Sequence, residues 1–429
     1  MKVAFHTLGC KVNQNDTESL ASMFRERGYT IVSFEQTADV YIINTCSVTN
    51  LGERKSRQSI RRATKVKPTP IVVVTGCYAQ TAPGEAAGIP GVNLVVGMAE
   101  RPRLVDLVEE YRKNRQNKVE VGDIGLEKSW IKLPVSKFTE RTRSTLKVQE
   151  GCDQFCSYCI VPLARGGIRS MPLMEAVKEF KSLVENGYRE IVLTGIHLGA
   201  YGKDLGLSLA DLLKELLKIP GDYRIRLGSL EPNDFDRNLL GIILNNARIC
   251  QHLHIPLQSG SDHILKLMNR RYTLADYSGL LKQIRAANPL LAVGTDLIVG
   301  FPGETEADFA ATLEFIEEQA FSRVHVFRFS PRKGTPAATF KGRVAGPVME
   351  ERSRKVQAVA FRTGREFARQ FVGKRVETLF EEKIAGGWTG LSGEYLRTEV
   401  LTGLDLKNTV REVLITGISG HILKGNLPH

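Results

Sequence analysis

Three apolar runs open the chain, KVAFHTLG, DVYIINT and IVVVTG, divided by segments such as Glu18 to Gly28 and Glu53 to Lys65 that can form helices. Strand-length runs alternating with helical stretches read as βαβαβ, the unit of a parallel sheet. Residues 113–143 are polar and basic with few periodic signals, and a linker is expected there. From Ser144 six further strand-like runs follow, TLKVQE, EIVLTG, YRIRLGS, HLHIPL, VGTDLIVG and RVHVFRFS, each leading into a longer amphipathic stretch. Six βα repeats predict a partial (βα)6 barrel, whose loops at the carboxyl ends of the strands carry the chemistry. Past Gly373 the pattern shifts to short alternating runs with turns, RVETLFEE, Gly386-Gly387, EYLRTEVLTG and REVLITGISG, which fits a small all-β module. The expected layout is an α/β multidomain chain: an open parallel α/β sheet over 1–112, the linker over 113–143, the partial barrel over 144–372 and the β module over 373–429.

Length supports this division, since 429 residues correspond to two to four domains of about 150 residues. No apolar run reaches the roughly 18 residues of a membrane span, and MKVAFHTLGCK lacks the apolar core of a secretory signal. A cytoplasmic enzyme without a membrane partner is expected. The formal charge of +12 points to a polyanion. Between Arg323 and Arg375 there are 14 Lys/Arg against 3 Asp/Glu, among them Arg328, Arg332, Lys333, Arg362, Arg365 and Arg369. A second basic run, Arg54 to Lys67, falls on an expected helix. Two separated runs favour a nucleic acid held through its phosphates over two merely solvated helix faces.

Seven cysteines is an odd number and too few for a disulfide scaffold, so the thiols must be explained as ligands or nucleophiles. Cys152, Cys156 and Cys159 directly follow TLKVQE, on the first loop at the mouth of the expected barrel. A structural zinc site closes with four ligands and an electron-transfer [4Fe-4S] cluster uses four cysteines, so three thiolates leave one iron open. A zinc knuckle or buried free thiols are the alternatives. Cys10, Cys46 and Cys77 each end one of the three opening strands. Open α/β sheets bind ligands at such ends, so these thiols should converge on one crevice and hold a second cluster, the alternative being three buried core cysteines. Cys250, alone beside His252, reads as a core thiol. His6 is the only early histidine, which leaves a catalytic Cys-His pair without support.

The Cys-x3-Cys-x2-Cys spacing resembles radical S-adenosylmethionine (SAM) enzymes, in which SAM chelates the open iron and one-electron reduction releases a 5′-deoxyadenosyl radical. In that superfamily the residue before the third cysteine, here Tyr158, packs by the adenine. Thr194 and Gly195 in LTGIHLG, Gln258 and Ser259 in PLQSGSD, and Gly300, Pro302 and Gly303 in IVGFPGET are the further candidates for SAM contacts. The last segment adds a helix start that could face a carboxylate or ribose.

Two cysteine triplets and a basic β module together resemble the radical SAM methylthiotransferase family over nearly the whole chain. The resemblance implies an N-terminal methylthiotransferase domain, a radical SAM barrel and a C-terminal TRAM barrel associated with RNA. It implies two [4Fe-4S] clusters, SAM as radical source and methyl donor, a flavodoxin or ferredoxin as electron donor, and replacement of a C–H hydrogen by a methylthio group. TLGCKVNQ, INTCSVTN, GCYAQ and LTGIHLGAYG look most like the branch acting on N6-threonylcarbamoyladenosine at position 37 of tRNA, in the anticodon stem-loop. Gly228 stands where that branch more often has Ser. A branch acting on the basic ribosomal protein S12 would fit a +12 surface poorly. An isopentenyladenosine-tRNA enzyme and a non-catalytic iron-sulfur RNA-binding sensor are the other readings.

Overall fold

The computed structural model describes residues 1–134 and 142–428. Strands β1 (Lys2–Thr7), β2 (Thr30–Val32), β3 (Val40–Thr45), β4 (Ile71–Gly76), β5 (Leu94–Val96) and β6 (Lys118–Glu120) form one parallel sheet in the order 2-1-3-4-5-6. Helix α1 (Lys11–Glu26) packs on one face and α2 (Asn50–Ala63) on the other, each closing an apolar cluster. Covered on both sides, β3 and β4 are buried throughout, which is why they read as unbroken apolar runs. The strands β2, β5 and β6 have three residues each, too short to show a period.

Part of the expected linker is therefore not a linker. Lys118–Glu120 pair with β5, and Ile124, Ile131 and Leu133 are buried. Their few apolar side chains return the chain to the sheet in spite of its polar composition. Residues 135–141 of that expected linker lie outside the described residues.

The barrel begins with β7 (Arg143–Lys147), followed by a short ribbon of β8 (Gln149–Glu150) and β9 (Arg169–Ser170). Its other strands are β10 (Glu190–Thr194), β11 (Arg224–Leu227), β12 (His252–His254), β13 (Ala292–Val299) and β14 (Arg323–Arg328). β7, β10 and β11 make one parallel sheet and β12 to β14 another, joined by bridges at Ile225–Ile249 and Ser229–His254. The six runs expected as barrel strands are these six. No ladder closes β14 onto β7 among the described residues.

Side chains alternate across each strand. Ile225, Leu227, Leu253, Val293, Leu297 and Val299 join the largest apolar core with the surrounding helices. The opposite positions, Arg224 and Arg226, His252 and His254, Asp296, and Arg323 and His325, face the lumen, which is consequently charged.

The N-terminal unit spans the open side of the barrel. Asn15 donates to Thr145 O on β7 at 2.8 Å, and the Asn50 N–H donates to Ser330 Oγ beyond β14 at 2.9 Å. Between them lies a buried ion network. Asp16 of α1 accepts from Arg101 Nη1 (2.6 Å), Lys147 Nζ (2.5 Å) and Arg165 Nη2 (3.1 Å), and Lys147 also reaches Glu150 (2.8 Å).

At the C-terminus β15 (Arg375–Ile384), β16 (Gly387–Ser392), β17 (Arg397–Leu401), β18 (Val410–Ser419) and β19 (Ile422–Asn426) close a small barrel in the order 15-16-17-19-18. Phe380, Trp388, Val413 and Leu423 fill it, and Phe367 of the preceding helix, Gly346–Arg369, joins their core. Among the described residues no helix is long and apolar enough to cross a membrane.

Candidate functional site

Cys10 is the N-cap residue of α1, Cys46 follows β3 and Cys77 opens helix α3 (Cys77–Thr81) after β4. Because β1, β3 and β4 are neighbours, their three carboxyl ends share one rim. Two glycines let the rim close. A Cβ on Gly9 (φ +101°) would stand 3.1 Å from Cys46 Sγ, and one on Gly76 (φ +93°) only 2.4 Å from Asn44 Oδ1. Asn13 donates to Leu8 O (2.7 Å) and Thr45 O (3.0 Å), and Asn44 donates back to Asn13 O (2.9 Å), fixing the Cys10 and Cys46 turns together.

These thiols sense one another. Burial, reinforced by Cys77 and Cys10, pushes the Cys46 thiol up to about 11. Burial likewise raises Cys77, opposed by the Arg165 charge. Cys46 and Cys77 are buried, Cys10 is exposed and all three are unbridged. Three convergent thiols with an open side and a guanidinium nearby suit a metal cluster, whose binding would displace their protons.

The second triplet occupies the loop between β8 and the helix Val161–Arg165. The loop folds on itself, Cys152 N–H donating to Gly166 O (3.1 Å) and Cys159 N–H to Cys156 O (2.9 Å). Burial, with Cys156 and Cys152 adding to it, pushes Cys159 up to about 12. Burial also raises Cys156, opposed by Arg270, whose Nη1 lies 3.3 Å from its Sγ. His197 stands 4.0 Å from Cys152 Sγ through Nδ1 and 3.0 Å from Asp234 through Nε2. Burial alone would lower His197, but Asp234 and Cys152 push it up to about 10, so it is a cation beside the sulfur. Three thiols with Arg270 and His197 at their edge suit a cluster with one open iron. Cys250 is elsewhere, buried with its Sγ 3.9 Å from Glu190.

Arg165 connects the triplets. It ends the helix that follows Cys159, yet its guanidinium bonds Asn13, Asp16 and Glu150 and reaches Cys77. Patterning singled out none of Arg165, Arg270 or His197. His197 lies inside the LTGIHLG segment and could have been read from it, whereas nothing local marks either arginine.

Among the other SAM candidates, contacts through Tyr158 and through Gly195 lead to the loop of the second triplet. The Tyr158 ring meets Phe301 edge-on at 6.4 Å, placing the Cys loop against the Gly-Pro-Gly turn. Thr194 is buried at the end of β10, and Gly195 packs on Gln149, which donates to Gly151 O beside Cys152 (2.8 Å). Gln258, at φ +67°, donates its N–H to Asp296 O (2.8 Å), and Ser259 is buried beside it. The GFPGET turn differs from expectation as a donor site. Gly300 N–H is bonded to Glu304 Oε2 (2.7 Å) and Gly303 N–H to Gly342 O (2.9 Å), while Pro302 is buried. The helix Glu306–Gln319 behind them is closed by a Thr305/Asp308 capping box. The box occupies the Thr305 and Asp308 amides, so two of the amides at that helix start are bonded within the protein.

Among the expected phosphate contacts, Lys333, Arg365 and Arg369 are exposed, Arg328 lies 3.7 Å from Glu350 and Arg362 pairs with Glu317 at 2.6 Å. Arg332 departs from expectation. It is 7% exposed and ties to Glu53 and Asn50 of α2, because the N-terminal unit covers the chain after β14. The α2 run is open, with Arg54, Arg57, Arg61, Arg62 and Lys65 lining one groove.

This architecture, an α/β sheet and a radical SAM barrel each carrying a cysteine triplet, defines a class, and known proteins place the chain in it. Residues 2–97 match the uncharacterized protein family UPF0004 and residues 146–316 the radical SAM superfamily. Over 382 residues the chain is 47% identical to the threonylcarbamoyladenosine tRNA methylthiotransferase MtaB of Bacillus subtilis (strain 168), covering 89% of this chain and 85% of that protein. It is 37% identical over 397 residues to the tRNA-2-methylthio-N(6)-dimethylallyladenosine synthase of Erythrobacter litoralis (strain HTCC2594), covering 90% and 88%. Among solved structures it is similar in fold to the radical SAM methyltransferase TsrM of Kitasatospora setae, with TM-score 0.60, 15% identity, and 79% and 77% of the two chains covered. The chain belongs to the radical SAM methylthiotransferase family.

Proposed function

We propose that this chain methylthiolates C2 of N6-threonylcarbamoyladenosine at position 37 of tRNA. The carrying observation is the pair of cysteine triplets, one at the strand ends of the N-terminal sheet and one on the loop after β8, with Arg165 beside the second reaching Asn13 and Asp16 of the N-terminal unit. The branch follows from similarity, 47% to a relative named for threonylcarbamoyladenosine against 37% to one named for dimethylallyladenosine. An adenine C2–H is neither acidic nor activated, so acid-base groups alone do not break it. With SAM and two [4Fe-4S] clusters bound, the cofactors supply the radical that removes this hydrogen and the sulfur and methyl group that replace it.

The chain's own residues position that chemistry. Cys152, Cys156 and Cys159 hold the SAM-binding cluster, and Arg270 and His197 offset the charge on its sulfurs. Tyr158, Thr194, Gly195, Gln258 and Ser259 line the SAM side. Cys10, Cys46 and Cys77 hold the second cluster beside Arg165. Because the N-terminal unit spans the open side of the barrel, both sets face one lumen, as a short-lived carbon radical requires. The base leaves the anticodon-loop stack to enter it. The exposed cations Lys333, Arg365 and Arg369, the α2 groove and the C-terminal barrel hold the RNA by its phosphates. A flavodoxin or ferredoxin supplies the electron.

The test is anaerobic reconstitution with iron and sulfide, then SAM, reductant and tRNA bearing threonylcarbamoyladenosine, followed by mass spectrometry of the digested nucleosides. A methylthio derivative of that nucleoside is expected. Product from isopentenyladenosine tRNA alone would reject the branch, and 5′-deoxyadenosine without either product would reject the substrate.

A further inference from the structure

At the floor of the barrel lumen a ring of cations surrounds one tyrosine. Tyr395 sits in the β16–β17 turn with φ +63°. The turn is held under the barrel by Arg224, which donates to Leu391 O (2.8 Å), and Arg226, which donates to Ser392 O (2.9 Å) and Gly393 O (3.0 Å). Around the ring stand Arg226 at 4.8 Å, Arg323 at 5.6 Å and the Lys11 ammonium at 5.7 Å, with the His252 ring 4.8 Å away.

Most of this charge is answered. Arg143, Arg224 and Arg226 converge on Glu190, and Arg143 also meets Glu381 at 2.7 Å. His254 lies 3.2 Å from Asp296. Lys11 and Arg323 differ, since among the described residues no carboxylate lies within ion-pair distance of either, although Glu394 lines the same cavity as Arg323, and both cations are exposed. The Nδ1 atom of His252, buried beside them, has no hydrogen-bond partner. Unanswered cations and an orphaned ring nitrogen on one lumen wall are the complement of a small anion.

The position of Lys11 selects the anion. It directly follows Cys10, so its side chain runs from the first cysteine triplet into the lumen. A base whose C2 meets that triplet carries its N6 substituent across the same ring, and the threonylcarbamoyl group ends in a carboxylate. We propose that Lys11 and Arg323 form the receptor for this threonyl carboxylate, with Tyr395 holding both cations in place. The inference rests on the substrate reading above and names its specificity residues. A neutral N6 alkyl group would leave both cations unanswered, so the same pair disfavours it.

The experiment uses reconstituted holoenzyme with anticodon stem-loop RNAs carrying threonylcarbamoyladenosine, its methyl ester or plain adenosine. Wild-type protein is compared with Lys11→Met, Arg323→Met and the double variant. Loss of a charge-assisted bond to the carboxylate corresponds to about 10- to 100-fold in affinity. Wild type should bind the acid that much more tightly than the ester, and the variants should lose the difference by weakening on the acid alone, with KM rising more than kcat falls. Equal wild-type affinity for acid and ester overturns the proposal, and this arm needs no variant to fold. Equal weakening on all three RNAs would make the two residues phosphate contacts, and a raised Kd for SAM without RNA would assign them to the SAM carboxylate. Either result overturns the proposal. If wild type forms no methylthio product on the acid RNA but does so on isopentenyladenosine RNA, the substrate reading itself fails.

Discussion

Under the proposed function the two cysteine triplets have separable tasks, and single substitutions test the separation. Cys156→Ala should abolish reductive cleavage of SAM. Cys46→Ala should leave 5′-deoxyadenosine formation largely intact and remove methylthio product, both read by mass spectrometry. Equal loss of cleavage in the two variants would contradict the division. Gly76→Ala should be costly for a different reason. Its Cβ would enter the Asn44 amide at a positive φ, and strain of this kind is of order 1–3 kcal/mol, measurable as a lowered unfolding midpoint. Cys10, Cys46 and Cys77 could be read from the sequence because each follows a strand that its own apolar run announces, and Cys152, Cys156 and Cys159 because of their spacing on one loop. Arg165 and Arg270 could not, since a lone cation has no local signature and its role depends on groups contributed by another segment, and Lys11 was visible only as part of TLGCKVNQ, not in its place beside Tyr395.

Elements carry roles that no single residue shows. Helix α1 bears Cys10 at its start and Asp16 further along, so it presents a thiol to the rim while anchoring the N-terminal unit to the barrel. Asp16→Ala would leave Arg101, Lys147 and Arg165 sharing Glu150 alone in a buried site. Breaking a buried ion network by removing one partner costs about 3–5 kcal/mol, which denaturant melts should register. The helix Gly346–Arg369 presents Arg362, Arg365 and Arg369 to solvent. Replacing all three with Gln should weaken tRNA binding and flatten its salt dependence by about 0.7–0.9 for each phosphate no longer neutralised, without changing iron content. Arg332 belongs to the same basic run, but its burial on Glu53 makes its substitution a test of stability rather than of RNA binding.

Across the molecule, buried carboxylates make folding sensitive to acid. Burial alone would raise Asp16 and Glu190, but Arg101, Lys147 and Arg165 around the first, and Arg226, Arg224 and Arg143 around the second, hold both well below the usual carboxylate range. A carboxyl lowered on folding stabilises the native state above its unfolded pKa of about 4, and that stability is lost as pH falls through the folded value. The melting temperature should therefore be flat near neutrality and fall steeply below pH 4, with a shallower fall for Asp16→Asn. Asp16 joins the N-terminal unit to the barrel, and Glu190 anchors the arginines that carry the C-terminal turn. Acid should loosen both junctions together.

Local pattern sufficed for the layout: parallel strands from buried apolar runs, six barrel repeats from their spacing, a closing β module from short alternation, and thiols at the strand ends. Each is a property of neighbours in the chain, where hydrophobic period and turn chemistry act directly. The three-residue outer strands escaped because they are shorter than any period, and the expected linker misled because β6 is held by β5 and not by its own composition. Interactions distant in sequence settled the rest. They brought Arg165 from one triplet to the other, closed the GFPGET amides on Glu304 and Gly342, buried Arg332, and set Lys11 and Arg323 around a tyrosine from the last barrel. Charge acts through space, and only folding decides which cations are answered within the protein and which are left to a ligand.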